Sequence, residues 1–340
     1  MYIEMGGVYN IKGQKVFGRR IYTNVSEIET IRKRFNNTDV YATIFQYNNE
    51  DQNNSDLYGP LYIDLDMDFN NDKEYTKLKQ DLARIVTFLK LHYGIPTEYI
   101  KFYFTGKKGF HLIISPIVFG AKPNKDLNVY YKEIAKELND NTINKIVDIK
   151  IYDKKRLLRL VNSINSKTGL YKVPVTYEDI MKLSYNEMRE YASDMKTLKY
   201  TLVKPVEKAI NKFRQIVSNI EDGNKKRVSN IKIPTNVDFS KITFPKCIQA
   251  IFRDGVAEGN RNNTTIILSS ALFQKGIDFE TGLAIINKWN LEKNNPSLSD
   301  SEIKATVSSA YHQVTSGRRY GCSSIKEMDL CVGRECKLYR

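Results

Sequence analysis

The sequence predicts an α+β protein of two domains, in which a first domain of mixed strands and helices is followed by a small all-α domain. Up to about residue 220, short stretches with the two-residue period of strands alternate with longer helical stretches. Beyond about residue 242 helix signals dominate, among them the capping box Ser299-Asp300-Ser301-Glu302. A polar, basic stretch at 221–241 reads as a linker, so the predicted domains are 1–220 and 242–340.

Each element of the two domains rests on a local pattern. The helix at 25–35 has Ser26 as a predicted N-cap, and the helix at 75–93 is ended by Gly94 and Pro96. Gly276 closes a helix that begins near Asn262. In chain order, the predicted elements are a helix at 25–35, strands at 40–47 and 61–68, a helix at 75–93, strands at 100–104 and 110–115, a helix at 126–139, a strand at 145–152, and helices at 177–194, 203–220, 262–276 and 299–311.

The charge balance favours a polyanionic partner. The chain has 340 residues, with 53 Lys and Arg against 39 Asp and Glu, a formal charge of +14. Nucleic acid is the commonest partner of such an excess, although a merely soluble basic protein would also fit. No N-terminal segment joins a basic start to an apolar core, and the longest apolar stretch, 112–121, is too short to span a bilayer. We therefore expect a cytoplasmic protein without membrane contact.

The most informative stretch is the acidic strand, residues 61–68. Apolar and acidic residues alternate in it, so Asp64, Asp66 and Asp68 share one face. Like charges packed together are costly unless they are solvated or neutralised, and hard oxygen ligands select Mg²⁺ or Mn²⁺. The stretch therefore indicates either a divalent-metal site or an edge strand with a solvated acidic face.

A glycine loop, Thr105-Gly106-Lys107-Lys108-Gly109, joins two predicted strands, and His111 follows it closely. Two glycines allow a tight turn and a close backbone approach to a ligand, and two lysines suit a triphosphate. The phosphate loop G-x-x-x-x-G-K-[ST] is absent from the sequence, which excludes a fused helicase or ATPase motor of that type. An ordinary basic hairpin with a structural histidine is the alternative.

Two later stretches could complete such a site. Asp148 lies within the strand predicted at 145–152 and Asp153 at its end, so either could be a third carboxylate. The segment 162–169 is a polar turn that contains Asn165 and Lys167. Neither stretch is specific by itself.

The order of these motifs resembles the catalytic core of the archaeo-eukaryotic primase superfamily, over about residues 1–175. The resemblance implies a central, mostly antiparallel sheet and two Mg²⁺ or Mn²⁺ ions held by Asp64, Asp66 and Asp148, with Asp153 as the alternate third ligand. Asp68 has no counterpart in the two-aspartate motif, and Arg20 matches an N-terminal active-site arginine. Asn165 stands where the classical small subunit has histidine. The nucleotide-binding residues implied by the resemblance are Thr105, Lys107, Lys108, His111, Arg159, Asn165 and Lys167.

All four cysteines, Cys247, Cys322, Cys331 and Cys336, fall in the last 100 residues. Four thiolates suit tetrahedral Zn²⁺ or an iron–sulfur cluster, and unrelated thiols are the alternative. The region 240–340 resembles the C-terminal domain of the primase large subunit through Phe244-Pro245-Lys246-Cys247, Gly259-Asn260-Arg261-Asn262-Asn263 and Tyr320-Gly321-Cys322. That resemblance favours a 4Fe–4S cluster, while the compact cysteine spacing keeps zinc open. The predicted nucleic-acid contacts are Arg261, His312, Arg318 and Arg319.

Together the two resemblances imply a single-chain DNA primase that starts primers on single-stranded DNA by a two-metal mechanism and also extends them with deoxynucleotides. One alternative is a repair or translesion polymerase of the same superfamily that extends existing ends. A second is a non-catalytic nucleic-acid-binding replication accessory. The expected partners are a single-stranded template, a primer, and ribo- or deoxyribonucleoside triphosphates. A replicative helicase or polymerase is a candidate protein partner, and we expect a monomer.

Overall fold

The computed structural model describes residues 1–11, 14–22, 27–49, 52, 55–67, 72–198, 201–230, 243–256, 259–294, 297–318 and 321–336. Asp68 and Arg319, two of the residues considered above, lie outside these ranges, as does the side chain of Arg20. The chain forms two compact units, Met1–Ser218 and Asn219–Arg340. The domain boundaries predicted from the sequence remain a prediction.

The first sheet of the N-terminal unit is four-stranded and antiparallel, and one face of it packs on a short helix. This core contains Ile3, Met5, Phe35 and Ala42, because alternate strand residues point to the side that α1 covers. On the opposite face, Arg19, Gly6, Tyr41 and Arg159 lie in one row across the four strands. The elements, with the strands in spatial order, are β2 (Gln14–Tyr22), β1 (Ile3–Ile11), β3 (Tyr41–Thr43), β9 (Leu157–Arg159) and helix α1 (Ile28–Arg34).

The second sheet is also four-stranded and antiparallel, and it contains the acidic strand. Its apolar face is buried with a long helix, α2, as the contact between the rings of Tyr75 and Phe110 shows. The other face has Asp64, His111 and Tyr103 in one row. The elements are β10 (Val173–Val175), β7 (Ile100–Phe104), β8 (Phe110–Ile114), β6 (Leu61–Leu65) and helix α2 (Asp72–Tyr93).

The remaining elements of the unit surround these sheets. A two-stranded ribbon pairs β4 with β5, and α3 places Tyr131 in the core, where its hydroxyl donates to the Gly59 carbonyl at 3.1 Å. Capping boxes open α4 and α5 at Thr176 and Ser184. The elements are β4 (Gln46–Tyr47), β5 (Leu57–Tyr58), α3 (Leu127–Asp140), α4 (Tyr177–Lys182), α5 (Tyr185–Tyr191) and α6 (Glu207–Asn230).

The described part of the C-terminal unit is helical. Its core contains Trp289, whose indole N–H donates to the Ile251 carbonyl at 3.0 Å. The capping box predicted at Ser299 and Glu302 is present and opens α10. The helices are α7 (Lys246–Asp254), α8 (Arg261–Phe273), α9 (Phe279–Lys293), α10 (Asp300–Thr315) and α11 (Cys322–Glu327).

The α+β class is confirmed, with antiparallel sheets followed by a helical region, but several details of the prediction are wrong. The antiparallel strands are divided between two four-stranded sheets and a two-stranded ribbon. The strand predicted at 145–152 is one isolated bridge, Leu65 to Val147, followed by a 3-10 turn at Ile149–Ile151. The helix predicted at 177–194 breaks at Leu183, and α6 runs ten residues into the predicted linker, to Asn230. In the part of the chain that is described, no helix has both the length and the apolar character needed to cross a membrane.

Candidate functional site

The centre of the candidate site is the cross-strand pair Asp64 and His111. The register of β6 and β8 sets these residues directly opposite each other, so their side chains share a face. The Nε2 atom of His111 lies 3.3 Å from Oδ1 of Asp64. The carboxylate side chain is 21% exposed and the histidine 9%. A carboxylate and an imidazole therefore meet at the rim of the buried region, where a ligand can still reach the acid.

The other two predicted carboxylates lie on either side of Asp64. The bridge between Leu65 and Val147 is flanked by two backbone bonds, from the Asp148 N–H to the Asp64 carbonyl (2.9 Å) and from the Asp66 N–H to the Ile146 carbonyl (3.0 Å). In an antiparallel bridge of this kind Asp64 and Asp148 are cross-strand neighbours on one face. Asp66, two residues beyond Asp64, is 51% exposed. Pairing of distant segments thus brings the three acids of the prediction to one place.

The environments of Asp148 and Asp153 differ. The Asp148 carboxylate caps the following 3-10 turn by accepting from the Lys150 N–H at 2.8 Å, and its backbone is joined to Asp64. The Asp153 carboxylate is paired with Arg156 at 2.8 Å. Asp148 is the one whose backbone is bonded to that of the acidic strand.

The charges around Asp64 keep it ionised. Burial by itself would raise the pKa of Asp64, but the His111 imidazole and the cations Lys172 and Arg156 outweigh burial and lower it. Burial, reinforced by the ammonium of Lys172, lowers the pKa of His111 despite the neighbouring carboxylate. A neutral imidazole that donates its Nε2–H to an ionised carboxylate is consistent with both directions.

The glycine loop closes tightly over the end of the acidic strand. At Gly109, where φ is +83°, a Cβ atom would lie 2.0 Å from the Leu65 carbonyl oxygen, so no larger residue fits without moving the backbone. The Thr105 hydroxyl donates to the Lys108 carbonyl at 2.5 Å and holds the loop in shape. Lys108 lies 3.6 Å from Asp66, and the Lys107 side chain is exposed. The loop therefore places the Lys108 ammonium near Asp66 and exposes Lys107 beside it.

The polar turn at 163–169 docks on this loop. The Thr168 hydroxyl donates to the Gly106 carbonyl at 2.6 Å, which joins two segments that are 62 residues apart. Asn165 is buried, and its side-chain oxygen accepts from the Lys167 N–H at 3.1 Å. The Lys167 side chain is exposed. The structure thus brings the loop and the turn together, with Asn165 shaping the turn and Lys167 directed to solvent.

Arg159 is held by the protein itself. Its guanidinium donates to the Asp39 carboxylate at 2.8 Å, to the Ile164 carbonyl at 2.9 Å and to the Tyr41 hydroxyl at 3.0 Å. It also lies over the Tyr41 ring, and the side chain is only 15% exposed. Its role in nucleotide binding remains a prediction.

Two residues that the sequence reasoning missed, Tyr62 and Lys172, extend the site into the interior. Lys172 is 2% exposed, and its Nζ donates to the Tyr62 hydroxyl at 2.9 Å and to the Arg159 carbonyl at 2.8 Å. The Tyr62 hydroxyl is in turn hydrogen-bonded to Nδ1 of His111. Burial lowers the pKa of Lys172 to about 7. Tyr62 could have been predicted, because it lies two residues before Asp64 on the same strand and therefore points to the same face. Nothing in the sequence indicates that Lys172 is buried.

The donor chemistry of the three acids fits a hard divalent cation. Carboxylate oxygens are the ligands preferred by Mg²⁺ and Mn²⁺, and Asp64 and Asp148 lie opposite each other on one face. Over the described ranges, however, no group of three or more His, Cys, Asp or Glu side chains is arranged to hold a metal ion. In this conformation His111, Lys108 and the Lys150 N–H hold the acids instead.

The cysteines of the C-terminal unit share one region without forming a ligand group. Cys247 is buried in the core of the unit, and Cys331 packs against that core. Burial raises the pKa of the Cys247 thiol, and the nearby Cys336 and Cys322 add to this effect. All four thiols are free. Among the described residues, they do not form a group that could hold a metal ion.

The predicted nucleic-acid contacts of this unit lie mostly at its surface. Arg261 is the first residue of α8 and is half-buried. His312 in the last turn of α10 is exposed, as is Arg318 just beyond it. Contact of these residues with nucleic acid remains a prediction.

Two regions of the chain match known protein families. Residues 47–177 match the C962R protein N-terminal AEP domain, and residues 249–316 match Primase C terminal 1 (PriCT-1). The chain therefore contains an AEP primase–polymerase domain, which is a nucleotidyltransferase domain that implies DNA and nucleotide substrates, followed by a C-terminal primase domain. The assignment to the archaeo-eukaryotic type and the likeness of residues 240–340 to a primase large subunit remain predictions.

Comparison with other proteins adds little beyond these domains. The chain is similar to the crystal structure of primase RepB', with 12% identity, coverage of 96% of this chain and 91% of that one, and a TM-score of 0.37. It is also similar to the polymerase domain of ligase D from Mycobacterium tuberculosis in complex with DNA, with 18% identity, coverage of 56% and 71%, and a TM-score of 0.34. TM-scores this low do not establish a shared fold. No curated protein matches the chain.

Proposed function

We propose that this protein is a DNA primase, a template-directed nucleotidyltransferase that starts primers on single-stranded DNA. The observation that carries the proposal is the joint occurrence, in one chain, of an AEP domain at 47–177 and a primase C-terminal domain at 249–316. The cluster of Asp64, Asp66 and Asp148 beside the glycine loop supplies residues suited to the chemistry.

Asp64, Asp66 and Asp148 would hold two Mg²⁺ or Mn²⁺ ions. When bound, such ions activate the attacking 3′-hydroxyl and neutralise the pyrophosphate that leaves. The charge of the protein changes sign over a short distance here, since the Lys108 ammonium lies 3.6 Å from Asp66 and Lys107 precedes it in the loop. The acids would thus hold the ions while the loop holds the triphosphate.

The loop and the turn position the nucleotide through donors that the fold fixes in advance. The bond from Thr168 to Gly106 holds the turn that carries Lys167 against the loop that carries Lys107. Nε2 of His111 lies at the same place, 3.3 Å from Asp64, where the imidazole would contact phosphate without having to act as a base. Donors that are already oriented need no reorganisation when charge develops on the phosphate.

Single-stranded DNA is the proposed template. A formal charge of +14 favours binding along a phosphate backbone, and Arg261, His312, Arg318 and Arg319 are the proposed contacts in the C-terminal unit. These contacts would give the protein a hold on the template when no primer is present. Binding the template without a primer is what distinguishes starting a strand from extending one.

The experiment that tests the proposal is synthesis on unprimed single-stranded DNA with labelled nucleotides and Mg²⁺ or Mn²⁺. We expect short products from the full chain, and none from the Asp64→Asn variant. A parallel reaction on the same template with an annealed primer measures extension. Products only on the primed template would replace the primase assignment by an end-extending polymerase, and no metal-dependent product on either would leave a nucleic-acid-binding accessory.

We further propose that Cys247, Cys322, Cys331 and Cys336 bind a metal centre, a 4Fe–4S cluster in preference to Zn²⁺. The proximity of Cys247 to Cys322 and Cys336, and the shared core of Cys247 and Cys331, support it. An absorbance spectrum and metal analysis of anaerobically purified protein test it. A broad visible band with bound iron indicates a cluster, bound zinc without that band indicates a zinc site, and metal-free protein with four titratable thiols would overturn the proposal.

A further inference from the structure

A continuous hydrogen-bonded chain runs from the interior of the N-terminal unit to the candidate site. It consists of the Arg159 carbonyl, Lys172 Nζ, the Tyr62 hydroxyl and the His111 imidazole, whose Nε2 lies 3.3 Å from Oδ1 of Asp64. These residues are buried, with whole-residue exposures of 4% for Tyr62, 7% for His111 and 2% for Lys172. A buried lysine is expensive, and the site chemistry described above does not use it.

The two ends of this chain fix the direction of every hydrogen bond in it. The Arg159 carbonyl can only accept, so Lys172 is the donor there. At the other end Nε2 of His111 faces a carboxylate oxygen of Asp64, an acceptor, at 3.3 Å, which favours the proton on Nε2. In a neutral imidazole Nδ1 is then an acceptor, and the Tyr62 hydroxyl must donate to it.

The middle of the chain completes the assignment. Because the single hydroxyl proton of Tyr62 is directed at His111, the hydroxyl oxygen is left to accept from Lys172. The ammonium also lies over the rings of Tyr62 and Tyr103, at 5.4 and 5.5 Å from their centroids. Lys172 is thereby held in a single place and donates toward the site.

We propose that Lys172 and Tyr62 are positioning residues that hold His111 in its Nε2–H tautomer, with that N–H directed at Asp64 and the bound phosphate. The tautomer itself is a property of the free protein. Only its consequence for catalysis rests on the proposed function. With the other tautomer, a lone pair of His111 would face the carboxylate and any phosphate, and the donor would be lost.

The test is ¹⁵N NMR of the protein labelled at histidine, below about pH 7, where Lys172 carries its proton. The chain has three histidines, so a His111→Gln variant assigns the signals. In the wild type we expect His111 to show a protonated Nε2 and an unprotonated Nδ1. A protonated Nδ1 would overturn the proposal without any variant.

Two variants test the role of the interior residues. Tyr62→Phe removes the hydroxyl and Lys172→Met removes the ammonium, and in both we expect the two ring nitrogen shifts to move toward each other as the tautomers mix. Tyr131→Phe is the matched control, because Tyr131 is also buried and loses one bond, to the Gly59 carbonyl, away from this chain. Shifts in the two variants that equal those of the wild type would overturn the proposal.

An activity measurement separates this inference from the proposed function. We expect Tyr62→Phe to lower kcat about tenfold with a smaller change in KM, and Tyr131→Phe to stay within about twofold of wild type. A wild-type protein without nucleotidyl transfer but with the expected spectra would refute the function and keep the tautomer assignment. An active wild type whose Tyr62→Phe variant keeps full kcat would refute the positioning role.

Discussion

The acids and the cations of the N-terminal unit differ in how the protein holds them. Asp64, Asp66 and Asp148 are at least partly exposed and each has few side-chain partners described here. Arg159 is half-buried and Lys172 is buried, and each donates two or more hydrogen bonds to other parts of the chain. The acids can exchange their partners for a ligand, whereas the two cations are tied into the scaffold. Substitutions should therefore separate into effects on activity and effects on stability.

The largest expected effect is the loss of activity on neutralising an acid. Asp64→Asn or Asp66→Asn keeps the shape of the side chain and removes the negative charge that would hold a divalent ion, so we expect nucleotide incorporation to fall at least about a hundredfold. The thermal midpoint should stay within a few degrees of wild type. Incorporation and melting are measured on the same preparations.

The control for this pair is Asp140→Asn, since Asp140 is an exposed acid at the end of α3 with a lysine partner. It should leave incorporation unchanged. Near-normal incorporation by Asp64→Asn would instead show that the acidic face is a solvated surface.

The next largest effect concerns stability. Arg159→Met leaves Asp39 buried without its partner, so we expect the free energy of unfolding to fall by about 3 kcal/mol in urea titrations. Arg156→Met, whose ion pair with Asp153 is more exposed, should cost less than about 1 kcal/mol. Equal losses for the two variants would contradict the distinction between scaffold and surface cations.

A third prediction separates the two candidates for the third carboxylate. Asp148→Asn should lower incorporation roughly ten- to a hundredfold. The backbone bond between Asp148 and Asp64 sets the Asp148 carboxylate beside the acidic strand, and the substitution removes its charge there. Asp153→Asn should change it less than about twofold, because that carboxylate is paired with Arg156. The opposite order would assign the third ligand to Asp153.

A fourth prediction concerns pH. The pKa of Lys172 is lowered to about 7 by burial, from a usual value near 10.5, so between these values the unfolded chain holds a proton that the folded chain lacks. The contribution of Lys172 to stability therefore rises with pH through this window, by up to about 1.4 kcal/mol per pH unit, and is constant below it. Urea titrations at several pH values should show a smaller rise for Lys172→Met than for wild type. Parallel curves would mean that Lys172 keeps its proton throughout.

The smallest effect is expected at the exposed lysines. Lys107→Ala or Lys167→Ala should raise the nucleotide KM about two- to fivefold at low salt and leave stability unchanged, because exposed charges contribute little and are screened. Lys90→Ala, in the last turn of α2, is the matched control and should not alter KM. A KM that is insensitive to both loop lysines would remove them from the nucleotide site.

Much of the fold follows from local patterns in the sequence. The strands β7 and β8 and the helices α2 and α3 lie within three residues of their predicted bounds, because each has a clear apolar period and a clear stop. The strand predicted at 145–152 is wrong. Its apolar and polar residues do alternate, but only Val147 pairs with another strand, through a bridge to Leu65. The Asp148 side chain then caps a 3-10 turn, which ends the extended segment. Local pattern predicts the tendency of a segment, and partner availability decides the outcome.

The acids and the glycine loop of the candidate site could be predicted from the sequence, but the buried hydrogen bonds around them could not. Asp64 and His111 stand in recognisable motifs, and strand pairing brings them together. Lys172 lies in a basic, turn-rich segment, and lysine is a residue type that is rarely buried, so only the packed structure reveals its burial. The guanidinium of Arg159 donates to Asp39 and Tyr41, which lie about 120 residues away in the sequence. A local sequence pattern cannot predict hydrogen bonds between segments so far apart.

The hairpin between β7 and β8 also limits which insertions and deletions the site can tolerate. Its five-residue loop sets the row of Tyr103, His111 and Asp64, and successive strand residues point to opposite faces. One residue added before Phe110 would either form a bulge or turn His111 toward α2 and bring Phe110 to the acidic side. Substitution at Lys107 or Lys108 leaves this row unchanged, whereas the residue count of the loop and the glycine at Gly109 are fixed.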